Sequence, residues 1–177
     1  LKSKGLLEVL TVSDEKDREQ IIEKLRKMIK EIDFGMLTTT DEDGSLRSRP
    51  MSVNRKVEFD GDLWFFTYGN SHKVLEAQKS PQVNVSFSDI KSSKYVSLSG
   101  TAELVRDREK IKELWLPELK AWFPDGVDTD DIALLKINAH KAEYWDTPNS
   151  LLAHVVALAK VATGQPVSVG ENKKINL

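Results

Sequence analysis

The first long periodic stretch is "DEKDREQIIEKLRKMIKEI". In it Ile21, Ile22, Leu25, Met28, Ile29 and Ile32 recur at helical spacing. The pattern predicts a helix over residues 14–32, with a solvated charged face opposite the apolar one. Asp14, Glu15 and Asp17 suit the positive end of its dipole, and Ser13 or Asp14 can cap it. From Phe34 the period changes. "FGMLTTT" is rich in β-formers, "DEDG" marks a turn and "SLRSRPMSV" alternates, so residues 34–53 read as a hairpin. "VEFD" and "DLWFFT" flank Asp60 and Gly61 and predict a second hairpin or one long bent strand. "SHKVLEAQKS" predicts a short helix stopped by Pro81. "QVNVSFSD" and "KYVSLSGTAELV" predict two more strands, with Gly100 marking a bulge or a close backbone approach. "DREKIKELWLPELKAWFP" reads as helix interrupted by Pro117 and Pro124. "DIALLKINAHKAEYWD" supplies one or two closing strands. "LLAHVVALAK" predicts another helix and "GQPVSVGENKKINL" a polar arm.

This order disfavours a parallel Rossmann sheet, which needs alternating strands and helices. Six or seven short strands in a chain of 177 residues predict an antiparallel barrel with peripheral helices, a mainly β (α+β) fold. One domain over residues 1–177 accommodates all of it: an N-terminal helix at 14–32, a barrel at 34–147, and a C-terminal helix and arm at 150–177.

Composition narrows the function classes. The 26 Lys+Arg against 28 Asp+Glu give a formal charge of -2, which argues against nonspecific nucleic-acid binding. The chain has no cysteine, so disulfides, thiolate metal sites and a cysteine nucleophile are excluded. Its N-terminal stretch lacks the sustained apolar core of a secretory signal. "SLLAHVVALAKVATG" is shorter than the roughly 20 residues that cross a bilayer. A cytoplasmic protein without membrane contact is the simplest expectation. His72, His140 and His154 have no metal-ligand spacing, and no GxGxxG or GxxxxGK[ST] motif occurs.

Two stretches carry candidate chemistry. In "RSRPM", Arg47, Arg49 and Met51 share one strand face, and two guanidiniums at that spacing can meet one anion. Pro50 cannot donate to a ladder and marks an edge or irregular strand. A solvated edge carrying arginines would give the same pattern. In "WFFTYGNSHK", an aromatic strand runs into a helix that Asn70 or Ser71 can cap, and Lys73 falls in its first turn. A cation there opposes the helix dipole, whereas an anion bound at the helix N-terminus would offset the conflict. A solvent-facing lysine is the plain alternative. Pairing across a hairpin would bring Arg49 and Lys73 together, with the Thr67 and Ser71 hydroxyls completing a phosphate cradle. Aromatic walls nearby suit a planar phosphorylated cofactor.

The order of "RSRPMSV", "LWFFTYGNSHK", "VNVSFSD", "YVSLSGTAEL" and "KAEYWD" resembles the flavin-binding split barrels related to pyridoxamine 5'-phosphate oxidase, in their general stress protein branch. The resemblance runs from about residue 34 to 145. It implies FMN bound at a homodimer interface of split β-barrels. It further implies that Arg49, Ser71, His72 and Lys73 hold the phosphate, that Met51 and Ser52 lie along the flavin chiefly by backbone, and that Phe66 and Thr67 adjoin it. Trp145 would approach the cofactor from the partner subunit, and Arg47 is the reserve phosphate ligand. His72 stands where the oxidase pattern has arginine. The oxidase also carries an Arg-x-His pair soon after its tryptophan. Here Trp145 is followed by "DTPNSLLAHVV", where His154 has no arginine beside it. The resemblance therefore implies an FMN-dependent oxidoreductase of unspecified substrate and redox partner, with no catalytic acid or base identified. The alternatives are a noncatalytic flavin-sequestering module, a deazaflavin-dependent reductase or, least favoured, the vitamin B6 oxidase itself.

Overall fold

The computed structural model describes residues 9–11, 15–146 and 170–177. In chain order the elements are β1 (Val9–Thr11), α1 (Glu15–Ile29), β2 (Phe34–Thr40), β3 (Leu46–Ser52), β4 (Asp62–Tyr68), α2 (His72–Lys79), β5 (Gln82–Asp89), β6 (Lys94–Val105), α3 (Arg108–Leu114), β7 (Ile132–Asp146) and β8 (Glu171–Asn176). Two 3-10 turns, Pro117–Ala121 and Gly126–Asp128, lie between α3 and β7. No described helix is long and apolar enough to cross a membrane.

The sheet order is β1-β8-β7-β6-β5-β2-β3, with β4 on β7. All pairings are antiparallel except the short parallel match of β1 to β8. The long strand β7 explains the split. Its first half, from Ile132 to Asn138, pairs β4, and its second half, from Lys141 to Asp146, pairs β8. The change of partner falls beside a bulge between Ser99 and Gly100 of β6. There the backbones approach so closely that a Cβ on Gly100 would overlap the Asn138 carbonyl oxygen. The glycine thus serves both readings of its sequence context, bulge and close approach.

The barrel interior is filled by alternate strand residues, among them Leu37, Phe65, Val85, Phe87, Leu98 and Ile137. Helix α1 adds Ile22, Leu25, Met28 and Ile29, the stripe that its periodicity predicts. A second, smaller core gathers Ile111, Leu114, Leu119, Phe123, Ile132 and Leu134 against Trp64 and Phe66 on the other face of β4.

Three local expectations are corrected. "VEFD" forms no strand, so β4 has no hairpin mate there and takes its hydrogen bonds from β7. Strands β3 and β4 do not pair either. Among the described residues β3 pairs with β2 alone, which makes it an edge where Pro50 is tolerated. Finally, the end of the expected polar arm is a strand, β8. Its Ile175 is fully buried, and its Glu171 receives hydrogen bonds from Lys24 and from the Tyr144 hydroxyl, the latter at 2.7 Å. The helix expected in "LLAHVVALAK" lies outside the described residues.

Candidate functional site

Helix α2 packs against β2 and β6. Val74 and Ala77 anchor it in the interior. Positions three and four apart share a helix face, so Lys73, Glu76 and Ala77 point the same way. Glu76 is therefore carried inward, where it is only 6% exposed. It meets the inward face of β2 and β3. Arg49 donates from Nη2 to Glu76 Oε2 at 2.8 Å and from Nη1 to the Thr39 hydroxyl, while that hydroxyl donates to the same Glu76 oxygen. Thr39 is 1% exposed. Arg47, one step along the same face, is bonded to Asp41 at 3.1 Å and lies 3.7 Å from Glu76 Oε1.

Lys73, one turn before Glu76 on the same helix, is near enough to feel the charges of both Arg49 and Glu76. Burial pushes its ammonium pKa down, the Arg49 charge pushes it further, and Glu76 only partly offsets them. No side chain caps α2. Ser71 occupies the N-cap position in extended backbone, but its hydroxyl is turned 3.2 Å from that of Thr67, which itself donates to the Tyr68 carbonyl at 3.2 Å. The Val74 and Leu75 amides donate to the Ser71 carbonyl at 2.9 and 3.1 Å. Among the described residues only the His72 and Lys73 amides of the first turn therefore lack a partner, and two mutually repelling cations lie near them. Such a site favours an anion.

The turn leading into α2 is clamped from outside. The Gly69 amide donates to the Asp131 carbonyl at 2.8 Å, and the Asn70 amide donates to Asp131 Oδ2 at 2.7 Å. Arg106 donates to Asp131 Oδ1 at 2.7 Å and lies over Gly69, where a Cβ would collide with its guanidinium. The bond from Arg106 holds the Asp131 carboxyl below its usual range, with the Asn70 bond assisting.

The other expected site residues are placed differently. Met51 is buried in the main core, so only its backbone can face a ligand. Ser52 and Phe66 line one groove of about 410 Å³ with Phe34, Val53, Leu116 and Trp122. Phe66 reaches it from the smaller core, with its ring 5.7 Å from Trp115 and 6.1 Å from Phe123. His72 is exposed and lines a groove with Asp41, Glu42, Arg47 and Glu76, so it borders the Arg49–Glu76 cluster from the Arg47 side. Trp145 lies opposite Tyr95 in the β6–β7 ladder, on the outward sheet face, with β6, β5 and β2 between its strand and that of Arg49. Within one chain it does not join the Arg49–Lys73 cluster. Among the described residues, no group of three or more His, Asp and Glu is placed to hold a metal ion.

A sequence profile described as "Pyridoxamine 5'-phosphate oxidase like" matches residues 20–167. The chain belongs to the pyridoxamine 5'-phosphate oxidase-like family. Within and around this family, Protein bli-3 of Neurospora crassa is 29% identical over 168 residues, spanning 89% of this chain and 80% of that protein. The general stress FMN/FAD binding protein from Xanthomonas citri is 28% identical, with a TM-score of 0.65, covering 75% of this chain and 93% of that one. The General Stress Protein 26 from Bacillus anthracis shares the fold, with a TM-score of 0.62 at 24% identity over 71% of this chain and 93% of that one. The split-barrel architecture of this oxidase-like family is thus the architecture of the chain.

Sequence reasoning missed Glu76, Thr39, Asp131 and Arg106. Glu76 had a usable signal, since it follows Lys73 by three positions and is flanked by the buried pair Val74 and Ala77. Asp131 and Arg106 had none. They meet the Tyr68–Ser71 turn only because the end of β6 and the start of β7 come together in space.

Proposed function

We propose that the chain binds FMN as a homodimer and works as a flavin-dependent oxidoreductase. The observation that carries this reading is the crowding of Arg49 and Lys73 at the uncapped N-terminus of α2, where Lys73 is charged against its own surroundings. A phosphate monoester carries nearly two negative charges at neutral pH and three acceptor oxygens. It answers both cations and the orphan amides at once. A terminal phosphate suits the N-terminus of α2, which favours the mononucleotide. The naming of the Xanthomonas citri relative as FMN/FAD binding supports a flavin.

From that anchor the ring would follow β3, beside the backbone of Met51 and Ser52, toward the groove that Ser52 shares with Phe66. The flavin supplies the redox chemistry, while the chain supplies binding, orientation and the surrounding field. Arg49 and Lys73 neutralise the phosphate, Ser71 and Thr67 offer hydroxyls, and Phe66 walls the groove. A second copy over the outward sheet face would deliver Trp145. That face carries Phe34 and Met36, 50% and 41% exposed, and Tyr95 at 40%. Apolar exposure of this extent on a single sheet face is what an interface would cover. The absence of an Arg-x-His pair after Trp145 speaks against pyridoxamine phosphate as substrate.

Titration of the purified protein with FMN tests the reading. Saturable uptake with a shifted flavin spectrum supports it, and anaerobic bleaching by reduced nicotinamide at a catalytic rate supports the enzymatic part. A protein that stays colourless at excess FMN overturns it. Light scattering of the loaded protein reports whether it is a dimer.

A further inference from the structure

We infer that Glu76 is a positioning residue, which fixes the Arg49 guanidinium for a phosphate. The inference rests on the FMN reading but concerns a residue that the reading does not need. The first observation is that Glu76 is a carboxylate buried beside the site proposed for an anion. On charge alone it is out of place, since it repels a phosphate and weakens the field of both cations. Nor is its pairing a strong source of stability. Removing two charged groups from water costs about as much as their attraction returns, so a buried ion pair is weak evidence for a stabilising role.

The geometry gives a different reason for it. An arginine side chain has several rotatable bonds and five N–H donors. Two of those donors are already committed, Nη2 to Glu76 and Nη1 to Thr39. Thr39 is itself tied to Glu76, so the three groups form a closed ring. This ring holds the plane of the guanidinium and fixes the directions of its three remaining N–H donors. Glu76 and Lys73 are on the same helix, so the orientation of Arg49 is set relative to the second cation and to the helix amides. Pre-ordering of this kind removes a conformational cost that binding would otherwise carry.

Charge and positioning predict opposite signs, which makes the inference testable. Glu76→Gln keeps an oxygen to receive Arg49 and removes the negative charge. Glu76→Ala removes both. If Glu76 positions Arg49, E76A binds FMN at least tenfold more weakly, E76Q binds it as tightly as the native protein or more so, and riboflavin binds all three alike. Tighter FMN binding by E76A would show Glu76 to be only a repelling charge. Equal losses for FMN and riboflavin in E76A would show a general structural role. Either result overturns the inference.

A readout without flavin separates failure of this idea from failure of the FMN reading. The Arg49 Nε–H resonance is followed in the three proteins during titration with inorganic pyrophosphate. Positioning predicts a rigid, titrating signal in the native protein and E76Q, and a mobile, weakly responding one in E76A. The same mobility and response in all three would sink the proposal, whether or not flavin binds.

Discussion

Replacing Lys73 by methionine should stabilise the ligand-free protein while weakening its hold on FMN. The native ammonium sits in the first turn of α2, half-buried, beside the Arg49 charge. A cation at that end of a helix costs about 0.3–1 kcal/mol. Methionine keeps the length and removes the charge, so this amount returns to the folded state. For a domain of this size it corresponds to about 1–4 °C in Tm. The hydrogen bond that the ammonium would give to the phosphate is charge-assisted and worth about 1.5–3 kcal/mol. Methionine cannot make it. At 1.4 kcal/mol per tenfold, the Kd for FMN should rise by about 10- to 150-fold. Riboflavin affinity should barely change.

The pH dependence has a definite sign. The Lys73 pKa is lower in the folded state than its ordinary value of 10.5. Its penalty is therefore fully present below the folded pKa and fades as the pH climbs from there toward 10.5. The Tm advantage of K73M should shrink over that interval. Thermal melts of the ligand-free proteins and quenching of flavin fluorescence give the two numbers. A K73M protein with a lower Tm and native FMN affinity would refute the account, because Lys73 would then be a structural cation.

Gly100→Ala should lower the urea midpoint by the equivalent of about 1–3 kcal/mol, since the added Cβ overlaps the Asn138 carbonyl oxygen and the backbone must yield. Glu171 should govern the acid limb of stability. Hydrogen bonds from Lys24, Lys173 and Tyr144 pull its pKa from 4.5 to about 2. Its contribution is present above pH 4.5 and lost as the pH falls toward about 2, so Glu171→Gln should flatten the Tm profile over that window. Asp131→Ala removes the carboxylate that receives Asn70 and Arg106, so amide exchange at Asn70 should quicken by hydrogen-exchange NMR while exchange in the core strands stays slow. Arg49→Ala should weaken FMN binding and also lower the Tm, unlike K73M, because it leaves Glu76 buried without its closest cation.

Local pattern alone determined a good deal of this protein. The apolar stripe of α1 lies in the core where its period puts it, and the alternation of β2, β5 and β6 survives as their inward and outward faces. Pro50 marks the edge and Gly100 the bulge, because a missing N–H and a missing Cβ restrict where each residue can sit whichever strands come to surround it. The positions of Lys73 in the first turn of α2 and of Arg47 and Arg49 on one face of β3 were legible for the same reason. A lysine in the first turn of a helix and two arginines on one strand face are local anomalies that ask for a ligand.

Only the tertiary structure decided how those anomalies meet. β3 and β4 look like partners in sequence, yet β4 takes its bonds from β7, and α2 brings Lys73 to Arg49 instead. Pairing is a choice among edges of similar pattern, settled by the whole barrel closing. The carboxylate that ties Arg49 is hidden in sequence because a glutamate in a short helix is ordinarily solvated. It becomes a buried partner only once Val74 and Ala77 dock that face. Trp145 shows the same limit from the other side. Its strand could be read, but its place on the outward face, with three strands between it and that of Arg49, follows from the order of the sheet, which is a property of the closed fold.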